Sequence, residues 1–191
     1  PCDKVIVDDV KGAKQAVEKL ISKGCKHIAI ITTKDYVSVG KLRTQGYLEA
    51  LEDHKINPKA SLILKIEDKL LSDDHLDDLE KEIEQLFKSN KSIDGIFAVN
   101  ELYAVTAIKV ARKLGLEIPK SLQVVSFSDG VLSKHSTPSL TTVSQHGQQI
   151  GEKAADLLIN RLELDETEDG EDEVYETVII ETDLIEREST K

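Results

Sequence analysis

The sequence has 191 residues and contains no methionine and only two cysteines. It also lacks any apolar run approaching the roughly 18–20 residues that a membrane-spanning helix needs, and no basic-then-apolar leader opens it. The two cysteines, Cys2 and Cys25, are too few for a disulfide framework in a chain of this size. Cys25 precedes an apolar run and reads as a small buried hydrophobe, which suits a reducing, cytoplasmic compartment. Basic charge is not in excess either. The formal net charge is −11, so this part of the protein presents no basic face for DNA. The charge is also uneven: residues 163–176 (ELDETEDGEDEVYE) hold nine acidic residues and no basic one, which leaves the remainder near −2. Catalytic signatures are missing as well. There is no GxSxG elbow, no Walker A loop and no GxGxxG, and the five histidines do not fall at zinc-ligand spacing with the cysteines. The sequence therefore reads as non-enzymatic, with no cofactor and no metal. The chain opens on Pro1 and enters a strand-like run at once, as expected of a fragment cut from a longer chain.

What is present is alternation. Short β-branched runs at 4–8, 27–31, 62–66, 95–99 and 124–127 are each followed by a longer stretch with helical periodicity, at 12–23, 39–53, 73–88 and 101–114 among them. In the first of these, Ala13, Ala16, Val17, Leu20 and Ile21 share one face, and Gly24 follows as a natural stop. The run HIAII (27–31) is apolar throughout, as a strand covered on both faces should be. Repeated βα units predict an α/β fold with parallel sheets flanked by helices. Residues 131–139 break the rhythm and read as irregular. Beyond them 140–144 reads as strand, 150–162 as helix, and 177–181 and 184–187 as two short strands.

In open α/β sheets ligands bind beyond the carboxyl ends of the strands. The residues just after the predicted strands are Asp8 and Asp9, Thr32 to Tyr36, Asn100 and Glu101, Ser128 and Asp129, and Gln145 and His146. These hydrogen-bonding side chains arrive at one rim and suit a small polyhydroxylated ligand, with Tyr36 or Tyr103 as an apolar platform. Capping of the following helices explains any one of them equally well. Arg43, in KLRTQGYLEAL, reads by spacing alone as a solvated helix residue. SDDHLDD (72–78) reads as a charged helix start rather than a metal site. Asp165, Thr167, Asp169, Gly170 and Glu176 fall at EF-hand loop offsets, but Thr at the third position and the strand-like sequence after them favour a solvated acidic loop.

Several stretches together resemble the effector-binding core of bacterial repressors of the lac/gal repressor type. They are DDVKGAKQAVEKLISKGCKHIAII (8–31), LRTQGYLEAL (42–51), DGIFAVNELYAVTAIKVARKLGLEIPKSLQVVSFSDG (94–130), TPSLTTVSQHGQQIGEKAADLL (137–158) and IERES (185–189). The resemblance implies a two-lobed fold like that of periplasmic sugar-binding proteins, with the N-terminal lobe incomplete here. It assigns 1–24 and 129–162 to that partial lobe, 25–128 and 177–191 to the C-terminal lobe, and 163–176 to an acidic loop. It further implies a homodimer that meets operator DNA through an N-terminal domain absent from this chain, and a carbohydrate-like effector bound between the lobes. Arg43 matches the family's effector-contacting arginine, which reverses the reading from spacing. Asn100 matches the Asn of the family's A-N-D motif, with Glu101 in place of the usual Asp, and Gln145 matches a glutamine on the return strand. Ser128 stands where the family's F-D-D motif usually has its first Asp, and Asp129 follows it. A serine offers one neutral group where a carboxylate accepts two strong hydrogen bonds. So either the ligand differs or Asp129 takes over the task. With Arg43 present, an anionic effector also fits. A sugar-binding protein of an ABC-type transporter is the alternative reading.

Overall fold

The computed structural model describes residues 2–67, 76–164 and 175–191. Among these, the chain builds a six-stranded sheet and a separate two-stranded one. The strands of the large sheet are β2 (Ile28–Thr33), β3 (Ile63–Ile66), β4 (Gly95–Ala98), β5 (Gln123–Phe127), β6 (Thr141–Ser144) and β8 (Asp183–Ile185), in spatial order β3-β2-β4-β5-β6-β8. All neighbours are parallel except β6 and β8. The small sheet pairs β1 (Lys4–Val7) in parallel with β7 (Thr177–Ile180).

The helices follow from the periodicity. In α1 (Asp9–Ser22) the residues Ala13, Ala16, Val17 and Leu20 are fully buried, packed on β5 and on α2 (Ser38–Asp53). α3 (Leu76–Ser89) and α4 (Glu101–Lys113) pack on each other. Because crossovers between parallel strands are right-handed, α2 and the α3–α4 pair lie on opposite faces of the sheet. Covering on both faces explains why β2, β4 and β5 are almost wholly buried and apolar. The order 3-2-4 reverses direction at β2 and β4, so the topological switch point lies at their carboxyl ends.

Several element boundaries shift from those expected. α1 begins at Asp9 instead of residue 12, and α6 (Gly147–Leu164) begins three residues before the predicted 150. The stretch 131–139, expected to be irregular, opens with a short helix, α5 (Val131–His135). A tertiary contact supports it: the Glu101 carboxylate accepts the Ser133 N–H at 3.0 Å. Glu101 also lies where a Cβ at Gly130 would stand. Much of the EF-hand-like stretch and most of SDDHLDD lie outside the described residues.

The pairing and packing of three elements bear on the expected lobes. Residues 9–24 were expected in the N-terminal lobe, but α1 buries its apolar face against the large sheet. Residues 140–144 were expected there too, yet β6 pairs with β5 and β8. Conversely β7, expected with the C-terminal lobe, ladders onto β1 under α6. The chain thus passes between the two sheets three times, after β1, after β6 and after β7.

One ion-pair cluster ties α1 to the end of β8. Lys19 and Lys23 contact the two oxygens of Glu186, the second at 2.9 Å. Hydrogen bonds from both lysines draw the Glu186 carboxyl down to about 2 from an ordinary 4.5. A depressed carboxylate stabilises the fold above its unfolded range, and that contribution is lost as pH falls through the folded value. Glu186→Gln is therefore expected to narrow its stability gap to the parent between pH 4.5 and 2, the interval set by those two values. Urea midpoints recorded across that range test this, and a gap that stays constant down to pH 2 contradicts it.

Candidate ligand-binding site

Arg43 lies on the α2 face that meets α1, with Gly46, Tyr47 and Ala50 also buried along the helix. This helical spacing takes its side chain under the switch point instead of into solvent. Its Nε donates to Asp9 Oδ1 at 2.8 Å, one Nη to the Val99 carbonyl at 2.6 Å, and the other to Gln145 Oε1 at 3.3 Å. The guanidinium carbon sits 3.6 Å from the centroid of the Phe127 ring, a cation–π stack. The side chains of Arg43 and Asp9 are only 5% and 8% exposed. Burial pulls the guanidinium below its ordinary range, and the charge and hydrogen bond of Asp9 oppose that pull. A guanidinium has five N–H groups. Three of them are used among the described residues.

Ser128 closes β5 with φ +83°, a left-handed conformation rare outside glycine. Its N–H donates to the Val143 carbonyl at 2.9 Å, and its own carbonyl accepts from Thr142 Oγ1 at 2.6 Å. Ser133 Oγ lies 3.0 Å from the same carbonyl. These bonds hold the turn and aim the Ser128 hydroxyl at Gln145, whose Nε2 donates to it. Arg43, Gln145 and Ser128 therefore form one connected chain of contacts, built from α2, the end of β6 and the end of β5.

The other predicted residues fare differently. Asn100 caps α4: its Oδ1 accepts the Tyr103 N–H at 2.9 Å. Capping and rim placement coincide, and the amide nitrogen of Asn100 donates to nothing among the described residues. Asp129 turns away from Arg43. Arg187 donates to its Oδ1 at 2.6 Å and Lys134 stands 3.6 Å from its Oδ2, so both oxygens have cationic partners. Tyr36 lies in the β2–α2 loop and is 72% exposed. No group of three or more His, Cys, Asp or Glu arranged for a metal occurs among the described residues.

The sequence profile of the periplasmic binding protein-like domain family matches residues 17–190. The chain belongs to that family. The ribose operon repressor of Halalkalibacterium halodurans is 33% identical over 94% of this chain and 50% of its own length. The transcriptional regulator CelR of Thermobifida fusca is 29% identical over 97% of this chain and 51% of its own. The solved structure of a CelR–cellobiose complex superposes with a TM-score of 0.86 at 26% identity, over 98% of this chain and 54% of that one. The chain spans about half the length of the curated relatives it matches. Within the periplasmic binding protein-like family, the resemblance to lac/gal-type regulators read from the sequence is thus borne out.

Two members of the site escaped sequence reasoning in their roles. Asp9 was placed at the rim but not paired with Arg43, from which it is 34 residues distant. A signal existed: Asp9 continues the buried stripe of Ala13, Ala16 and Leu20, and an acid on an apolar face needs a partner. Phe127 was read only as strand core, although its ring carries the guanidinium.

Proposed function

We propose that this chain is the effector-binding core of a DNA-binding transcriptional regulator, and that its effector is an uncharged polyhydroxylated molecule such as a sugar. The observation that carries the reading is the state of Arg43. It is buried and oriented by Asp9, Val99 and Gln145, with its charge already matched by Asp9. A guanidinium whose charge is matched within the protein suits an uncharged hydroxylated ligand better than a phosphate. Arg43, Asn100, Ser128 and Gln145 then supply the contacts, Tyr36 flanks them, and Asp129 anchors the turn through Arg187. The names of the relatives, which are regulators of sugar operons and of transcription, support this reading over a transporter component.

In the same reading residues 2–8, 146–164 and 175–181 belong to one lobe and 9–67, 76–145 and 182–191 to the other. The effector binds between them and shifts the balance between two lobe arrangements, which requires a different affinity in each. The complete cytoplasmic protein is a homodimer that holds operator DNA through a segment outside this chain. Leu158, Ile159 and Leu162 on α6, and Ile6 and Ile179 on the small sheet, are exposed apolar residues that further parts of the first lobe would cover.

The test is calorimetric titration of the full-length protein with neutral sugars, cellobiose and ribose among them, and with their phosphates. A neutral sugar is expected to bind, to alter operator affinity, and to bind about tenfold or more weakly to Ser128→Ala, the scale of one lost hydrogen bond of about 1.4 kcal/mol. Binding of phosphates alone would contradict the neutral effector. If no small molecule changed operator affinity, the regulatory reading itself would fail.

A further inference from the structure

The three passages between the sheets are tied to one another by side chains. Asp8, after β1, accepts the Thr182 N–H at 2.8 Å, and Thr182 lies after β7. Lys11 stands 3.6 Å from both Asp8 and Glu181. His146, after β6, places its Nε2 3.0 Å from Asp183 Oδ2, at the start of β8. His146 holds φ +51°, and its N–H donates to Ser144 Oγ at 3.3 Å. A left-handed histidine is uncommon, and this one is turned so that its ring reaches the neighbouring passage. Its predecessor, Gln145, is the residue that joins Arg43 to Ser128. Two adjacent residues thus face two ways, one into the ligand rim and one onto the next connection between the sheets.

We propose that Gln145 and His146 form a coupling element, in which the His146–Asp183 contact latches the β6–α6 passage to the β7–β8 passage so that a change at Gln145 reaches Thr182 and, through it, Asp8. The inference extends the proposed role of the rim, since a ligand that displaces Gln145 from Ser128 would pull on this latch. The physical basis is connectivity. A peptide unit separates Gln145 from His146, the His146 ring meets Asp183 at 3.0 Å, a second peptide unit joins Asp183 to Thr182, and the Thr182 N–H meets the Asp8 carboxylate at 2.8 Å.

The test needs no ligand, so it can fail without touching the effector reading, and the effector titration can fail without touching it. Hydrogen exchange of the full-length protein is followed at residues 181–184 in the parent, Gln145→Ala, His146→Asn and the double variant. Asn is chosen at 146 because it tolerates a positive φ. Gln145→Ala is expected to speed exchange there by about threefold or more, a coupling of the size found between contacting residues. In the His146→Asn background the same change is expected to add nothing. An effect of equal size in both backgrounds, or none in either, overturns the latch. Ser128→Ala, which frees Gln145 without altering the passage, is expected to reproduce the Gln145→Ala result and serves if that variant fails to fold. Parent-like exchange in Ser128→Ala would count against the proposal in the same way.

Discussion

Arg43→Met is expected to lower the free energy of unfolding by about 3–5 kcal/mol, the cost of breaking a buried ion pair by removing one partner. The size of the effect comes less from the lost attraction than from what stays behind. Asp9 is 7% exposed in the first turn of α1, and Arg43 Nε is its side-chain donor at 2.8 Å. Without it the carboxylate keeps only the favourable field of the helix N-terminus. The Val99 carbonyl and Gln145 Oε1 lose donors at the same time. Methionine refills much of the volume over Phe127, so a cavity is a minor part of the loss. Removing the stranded charge should therefore repair part of the damage: Arg43→Met with Asp9→Asn is expected to regain about 1–2 kcal/mol. Urea unfolding at pH 7 gives both values. If the double variant is as unstable as the sum of its parts, Asp9 and Arg43 are not a coupled pair.

The same pair shows what a sequence yields and what it withholds. The alternation of strands and helices was legible because it rests on local periodicity. The apolar stripe of α1, the apolar run 28–31 of β2 and the apolar β4 identify themselves within a dozen residues. The rim was legible as a set, since the residues after parallel strands collect at one edge. Its internal wiring was not. Asp9 meets Arg43 across 34 positions and Arg43 meets Gln145 across 102, distances over which spacing carries no information. Which elements share a sheet was not legible for a related reason: nothing local marks the points at which the chain passes from one sheet to the other. Ser128 illustrates the middle case. Its departure from the family's Asp was visible at once, and its left-handed backbone and bond to Gln145 became visible only in three dimensions.

Gly46→Ala is the second large effect, and its sign runs against helix propensity. In an exposed helix interior this change gains about 1 kcal/mol. Here α2 crosses α1 so closely that a Cβ at 46 would overlap the Val10 carbonyl oxygen and stand 2.8 Å from Ala13 Cβ and 3.0 Å from the Lys14 nitrogen. The obstacle is mostly backbone, which cannot rotate away, so the helices must separate. Overpacking of this kind costs about 1–3 kcal/mol. The separation also has a chemical consequence. Arg43 lies one turn before Gly46 on α2, and Asp9 lies one turn before Ala13 on α1, so parting the helices stretches the buried ion pair. Gly46→Ala and Arg43→Met should therefore be less than additive, because each already weakens what the other removes. Gly151→Ala on α6 is the control: nothing lies within 4 Å of the added Cβ, and a gain of about 0.5–1 kcal/mol is expected. Thermal and urea unfolding of the three variants decide the matter. A Gly46→Ala protein as stable as Gly151→Ala would mean that the α1–α2 contact is looser than the Val10 and Ala13 distances imply, and that Arg43 is held by its hydrogen bonds alone.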